Sequence, residues 1–409
     1  MTFRKLTGKI HLWLGFTAGL VVLISLLAAA VFVWEKELTE WYHHDKLFVK
    51  EVRSQTLPFQ TILDNARKAS YKNTVTYVNI DKDPQKAYMF INYKAAGKKG
   101  WTYFSGVEDY RKIFVDQYTG QVLGTIDMRT DWIFATRMLH QCLLLNYDVG
   151  HYIVGYATLI ILIMVVTGII LWWPKNKAAL KQRIWFRWKK VTKWKRKNYD
   201  LHNIGGIYSF LFILVFALTG LVWTFDWWEN TVYRLLGSHP DKVFNRPADP
   251  TPVAQGTPGP FDSVINDVTQ RVPNWRLLGF NIPATNAKTM KPVTTFIRYS
   301  SGKSGWDESD NYFYHPQTGR LYHAVTHNQK TTAAKWRNSN YAIHVGSIYG
   351  LPTKILATFI ALFCASLPVT GFYIWWGRRK KKKYTAPAMV AAQKRKPAEV
   401  VQLAVQEQE

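Results

Sequence analysis

Asn203 to Phe225 reads NIGGIYSFLFILVFALTGLVWTF, 23 residues without an Asp, Glu, Lys or Arg. At about 1.5 Å rise per residue, a helix of that length reaches across the roughly 30 Å hydrocarbon layer of a bilayer. Three more stretches have the same character: Leu12–Trp34, Tyr152–Trp173 and Ile355–Trp376. Their ends and flanks carry Trp34, Trp172, Trp173, Trp227, Trp228, Trp375 and Trp376, side chains suited to the membrane interface. The 409-residue chain is therefore expected to be an integral membrane protein with four spanning helices. The first stretch continues past Ala28-Ala29-Ala30 through Trp34, too long a run for a cleaved leader, and is expected to stay as a helix.

A formal net charge of +26 ordinarily suggests nucleic acid, but the placement of the charge argues for lipid. Pro174–Lys197 holds 11 Lys and Arg and no acid, Arg378-Arg379 and four lysines follow the last stretch, and Arg4, Lys5 and Lys9 precede the first. The positive-inside rule puts these segments in the cytoplasm. The expected layout is spans within 1–34, 150–173, 202–225 and 352–376, cytoplasmic segments 174–201 and 377–409, and segments 35–149 and 226–351 on the far side, the periplasm of a bacterium. The basic runs then set orientation and attract anionic membrane lipid, and no nucleic acid is expected as a partner. Cys142 and Cys364 have no disulfide or metal spacing and read as packing residues. No Gly-rich dinucleotide fingerprint follows a strand, so nicotinamide and flavin are not expected.

The two halves repeat the same residue types in the same order. His11 with Gly15 is answered by His202 with Gly206, and Thr167-Gly168 before Trp172-Trp173 by Thr370-Gly371 before Trp375-Trp376. Pro58-Phe59 leads a helical stretch through Ala69, as Pro260-Phe261 does through Val272. Tyr71–Tyr93 and Trp101–Phe104 alternate as strands, matched by Trp275–Phe280, Val293–Tyr299 and Tyr312–Tyr314. Tyr118-Thr119-Gly120 and Gln317-Thr318-Gly319 supply hairpin turns. The chain reads as helix, small α+β module, helix and basic linker, then the same unit again, the units being parallel about an axis along the membrane normal.

Four histidines fall in matching pairs. His11 and His202 open the first and third spans, and the glycine one turn on, Gly15 or Gly206, removes a side chain that would strike a porphyrin edge. His140 and His344 precede the second and fourth spans. A two-fold relation gives each layer two facing imidazoles, as bis-histidine ligation of haem requires. His151 corresponds to Lys354, and both are expected to meet haem propionates, with His151 the alternative to His140 as axial ligand. One histidine at a helix end is usually an interfacial or capping group, whereas four in paired positions inside a membrane are costly enough to imply function. Six-coordinate haem implies electron transfer rather than oxygen chemistry. His43, His44, His239, His315, His323 and His327, with Tyr312, Tyr314 and Tyr322, read as ordinary surface and strand positions.

From about Phe3 to Arg379, these repeated units and the D-x-x-T-G turn Asp116-Gln117-Tyr118-Thr119-Gly120 resemble the PepSY-associated transmembrane family. The second unit departs from that turn, with His315 standing where the first has Asp116. The resemblance implies an internally duplicated membrane protein: a four-helix transmembrane bundle with two periplasmic α+β PepSY-like modules, in the bacterial inner membrane. Family members include dihaem reductases of ferric siderophores, so it also implies two haem b groups with bis-histidine ligation. The acceptor so implied is a ferric siderophore or other ferric chelate, reduced to release Fe(II), and the donor a quinol or a cytoplasmic reductant. No catalytic residue beyond the haem ligands is expected. The alternatives in view are a non-enzymatic periplasmic binding or regulatory protein and a haem electron carrier to another periplasmic acceptor. A transporter is disfavoured because the spans carry no acidic or broken-helix site.

Overall fold

The computed structural model describes residues 1–97, 100–251, 253, 261–283, 291–299 and 308–403, with side chains described as far as Arg379. Pro260 and most of the Pro-rich stretch before it lie outside the described residues. The first unit runs α1 (Phe3–Phe32), α2 (Phe59–Ala69), β1 (Tyr77–Asp81), β2 (Tyr88–Ala95), β3 (Val107–Val115), β4 (Val122–Asp127), α3 (Trp132–Cys142) and α4 (Tyr147–Trp172). The second repeats that order as α5 (Trp194–Leu221), α6 (Phe261–Arg271), β5 (Trp275–Asn281), β6 (Val293–Tyr299), β7 (Glu308–Tyr314), β8 (Leu321–Val325), α7 (Thr332–His344) and α8 (Leu351–Leu403).

Among the described residues, four helices are long and apolar enough to cross a membrane: Phe3–Phe32, Tyr147–Trp172, Trp194–Leu221 and Leu351–Arg379. α1, α5 and α8 extend beyond the uncharged runs because their basic ends stay helical, as lysine and arginine readily do, whereas α4 extends at its other end through Tyr147–His151. α1 and α5 each contact both α4 and α8, so the four close into a bundle. Within α5 the turn Leu201–Gly205 is a π-turn, a local widening that often marks functional positions, and it carries His202.

The two expected modules share one antiparallel sheet of eight strands, in the order β4-β3-β2-β1-β5-β6-β7-β8. The units join where β1 pairs β5, with Asn79 opposite Gly279 at the centre of the register. α2 and α6 cover one face of the sheet, and the Phe59 ring lies 5.3 Å from Phe261, 5.4 Å from Phe280 and 5.9 Å from Phe90. Asp262 of the second unit accepts the Phe59 amide at 2.9 Å, capping the helix start of the first. Because Phe59 is buried between both units, Phe59→Ala is expected to cost about 3–5 kcal/mol of sheet stability. A denaturant midpoint read by circular dichroism checks this, and a loss under about 1 kcal/mol would place the core elsewhere.

The opposite face differs between units. In the first, Phe114, Ile126 and Met128 pack on Phe134, Met138 and Cys142 of α3. Trp101–Phe104 is correspondingly not a strand, because the chain bends into a short helical turn, Tyr103–Gly106, that buries Tyr103 in this cluster. In the second unit Lys330 donates to the Ser309 carbonyl at 2.6 Å and hydroxyl at 3.0 Å. Burial pushes the Lys330 ammonium down to about 8. A lysine with a depressed folded pKa binds fewer protons folded than unfolded between about pH 8 and 10.5, so its contribution to stability improves as pH rises through that window. The stability gap between Lys330→Met and wild type should therefore shift in favour of wild type from pH 7 to pH 10, as parallel melts would show.

Both hairpin turns place their glycine at positive φ, +74° at Gly120 and +66° at Gly319. Asp116 accepts from the Tyr118 amide (2.8 Å) and the Thr119 hydroxyl (2.8 Å). His315 preserves the first of these roles, its Nδ1 accepting the Gln317 amide at 3.2 Å.

Candidate haem-binding site

The four paired histidines meet inside the bundle. His11 on α1 faces His202 on α5, with ring centres 6.4 Å apart and planes at 89°. His140 on α3 faces His344 on α7, with ring centres 6.0 Å apart and planes at 42°. A metal with two opposed imidazoles, each bond about 2.0–2.1 Å and each ring centre about 1.1 Å beyond its nitrogen, separates the centres by about 6.4 Å. Both pairs are spaced for one shared metal.

Each ring is held from behind by a hydroxyl of its own unit. His11 Nδ1 lies 2.9 Å from Thr167 Oγ1, His202 Nδ1 2.9 Å from Thr370 Oγ1, and His344 Nδ1 2.9 Å from Thr219 Oγ1. Those hydroxyls already donate to their own helices, Thr167 to Ile163 O (3.0 Å), Thr370 to Ser366 O (3.1 Å) and Thr219 to Val215 O (2.6 Å). Each can therefore only accept from Nδ1–H, which leaves Nε2 with a free lone pair, the tautomer of a metal ligand. His140 is seated on Ser25, its Nδ1 2.9 Å from both the hydroxyl and the carbonyl of that residue.

The residue after each threonine is a glycine that leaves room for the ring. A Cβ at Gly168 would stand 3.5 Å from His11 Cε1, one at Gly371 3.2 Å from His202 Cε1, and one at Gly220 3.1 Å from His344 Cε1. At Thr167-Gly168, Thr219-Gly220 and Thr370-Gly371 the pair is thus a seat for histidine, and Thr219-Gly220 is the signal that sequence reasoning passed over. The glycines expected to relieve a porphyrin edge line the cavity. Gly206 opens onto free space, while Gly15 packs toward the Met164 methyl.

α3 and α7 are separate short helices that bring His140 and His344 down among the spanning helices. Leu143 and Leu144, at φ of +56° and +58°, turn the chain from α3 into α4, and Gly150 packs on the Cys142 carbonyl, where a Cβ would overlap it. Ser25 lies 14 residues beyond His11 on α1, and Thr219 lies 17 beyond His202 on α5. The two layers are therefore about 21–25 Å apart along the helices.

A single cavity of about 1130 Å³ reaches both layers and is lined by all four histidines. That exceeds the about 300–1,000 Å³ of a pocket for one drug-sized ligand. Arg137, one turn before His140, also lines it, and its buried Nε has no hydrogen-bond partner among the described residues. Such a group calls for an anion. At the other end Arg4 and Arg183 line the cavity while bonding the last carbonyls of α4, at Leu171 and Trp173, and Arg378 joins them there. Two pairs of neutral imidazoles, apolar walls and cations at both ends fit two iron porphyrins with their propionates.

One expected role changes. Lys354 does not reach the cavity. Its Nζ bonds both oxygens of Glu37 at 2.6 Å and lies 4.8 Å over the Trp34 ring, because an ammonium at the membrane boundary is cheapest beside a carboxylate. Arg137 is the cation that sequence reasoning missed. His151 does line the cavity, but its Nδ1 is bonded to the Tyr147 carbonyl and its ring stacks on Tyr147 at 4.9 Å, while His140 stands opposite His344.

Fold and site define a multi-pass membrane protein with two imidazole pairs in its bundle. Residues 9–378 match the family described as the PepSY-associated TM region, and the chain belongs to that family. No curated protein matches the chain.

Proposed function

We propose that this protein is a dihaem reductase of the bacterial inner membrane, passing electrons across the bilayer to a ferric chelate in the periplasm. The observation that supports this most is the pair of imidazole couples, 6.4 and 6.0 Å between ring centres, opening on one shared cavity. His11 with His202 would hold one haem b and His140 with His344 the other, with Arg137 and His151 meeting propionates in the second layer. Bis-histidine haem supplies one-electron transfer and offers no open coordination position to a substrate.

The chain's own residues fix the ligand tautomers through Thr167, Thr370, Thr219 and Ser25 and exclude water with apolar walls. The basic 174–197 segment and the ends of α1 and α8 orient the protein, so that the layer of His11 and His202 faces a quinol or cytoplasmic donor. The layer of His140 and His344 then lies beneath the sheet, on the acceptor side. One electron converts Fe(III) in the acceptor to Fe(II), which hard oxygen ligands hold less tightly, and the iron is released. A siderophore is the acceptor that the family resemblance supports.

The visible spectrum of the purified protein is the test. A Soret band with dithionite-sensitive α and β bands and two haems per chain is expected. Protein with no Soret band under any preparation would favour instead a non-enzymatic module that binds or regulates in the periplasm.

A further inference from the structure

In the second unit, each ligand histidine is preceded one helical turn earlier by an asparagine, Asn198 before His202 and Asn340 before His344. Asn198 Nδ2 donates to the Thr370 carbonyl at 3.0 Å, and Asn340 Nδ2 to the Thr219 carbonyl at 3.1 Å. These are the two threonines whose hydroxyls take the Nδ1 protons of His202 and His344. Each histidine therefore sits on a turn bolted to the same residue that orients its ring. Neither can shift without breaking both bonds.

His11 lacks this second bond, whereas in the other layer Ser25 supplies one to His140, its hydroxyl donating to the His140 carbonyl at 2.9 Å beside the contacts with Nδ1, so only the layer of His11 and His202 is unequally held. Four residues before His11 stands Thr7, and four before His140 stands Thr136, whose hydroxyls donate to Phe3 O and Ile133 O of their own helices. The two asparagines are also expensive where they are. Asn198 is 4% exposed and Asn340 0%, and the Asn340 Oδ1 has no hydrogen-bond partner. An amide oxygen buried that way costs free energy that alanine would not, so its retention needs a gain elsewhere.

We infer that Asn198 is a positioning residue that makes His202 the fixed ligand of its layer and leaves His11 the displaceable one. A small exogenous ligand reaching that iron would replace His11. With carbon monoxide on the ferrous form, the bond from iron to that Nε2 breaks and one from iron to carbon forms, with no change in oxidation state. This inference rests on the two-haem reading.

The experiment uses full-length protein in detergent, with carbon monoxide and apomyoglobin as probes. His11→Gly should keep two haems per chain, one of them reactive to carbon monoxide, whereas His202→Gly should lose one haem. Asn198→Ala should release one haem to apomyoglobin about 10–100-fold faster than wild type and raise the fraction reactive to carbon monoxide. Adding Thr7→Asn to Asn198→Ala, which rebuilds the bond on the opposite ligand, should slow release again. Where Asn198→Ala aggregates, Thr7→Asn alone carries the test by lowering carbon monoxide reactivity. Equal haem loss in the two histidine variants, wild-type release from Asn198→Ala, or no effect of Thr7→Asn in the folded protein would overturn the inference. A wild type without a Soret band would instead defeat the two-haem reading, which keeps the two failures apart.

Discussion

Protein in which His11 and His202 are both alanine is expected to carry one haem per chain in place of two. Reduction of an external ferric chelate by vesicles supplied with dithionite on the donor side should fall to background. The other histidine couple lies about 21–25 Å along the bundle and does not replace them. The wall around them is largely apolar, its polar side chains include Arg4, Arg183, Arg378, Asn203, Tyr199 and Tyr373, and the Met164 thioether beside Gly15 cannot by itself supply both axial bonds. The Soret absorbance per chain should halve while the bands of the second layer persist. Two haems retained in the double variant would show that these imidazoles are not the ligands.

Thr219→Val and Thr370→Val should each weaken haem binding in one layer by about 10–100-fold. Valine keeps the shape of threonine but removes the only acceptor that the hydroxyl offers to Nδ1–H. Nδ1–H of His202 would then keep only the Leu367 carbonyl and that of His344 only the Phe216 carbonyl, and a lost buried hydrogen bond of about 1–3 kcal/mol, at 1.4 kcal/mol per tenfold, agrees with that range. Ser in place of either threonine should retain near-normal haem content, because the acceptor survives. Competitive transfer to apomyoglobin would measure both, and a valine variant indistinguishable from wild type would assign the hydroxyls a role in helix packing alone.

Much of this arrangement was legible because it is written locally. Uncharged runs of bilayer length, basic flanks and paired His-x-x-x-Gly and Thr-Gly motifs need no knowledge of distant contacts. What escaped depends on partners far apart in sequence. β1 pairs β5 across some 200 residues, and nothing in either strand's alternation names its neighbour, so the joining of the two modules into one sheet is not written in either. The depth of His140 follows from α3 packing against α1 at Ser25, 115 residues away. Lys354 matched His151 by register, yet a carboxylate at Glu37, 317 residues distant, captures it. Thr219 and Asn340 were invisible for another reason: a threonine inside a span or an asparagine before a histidine is chemically ordinary until its partner is seen.

Continuity of the eight-stranded sheet limits how this protein can move. Each imidazole couple draws one member from either half of the chain, and the strand ladder between Tyr77–Asp81 and Leu277–Asn281 stitches those halves together on one side of the bundle. Rocking the halves apart, as a carrier that alternates its opening must, would tear that stitching and pull every couple open at once. The architecture is that of a rigid frame around fixed stations, suited to cargo as light as an electron that needs no doorway to pass.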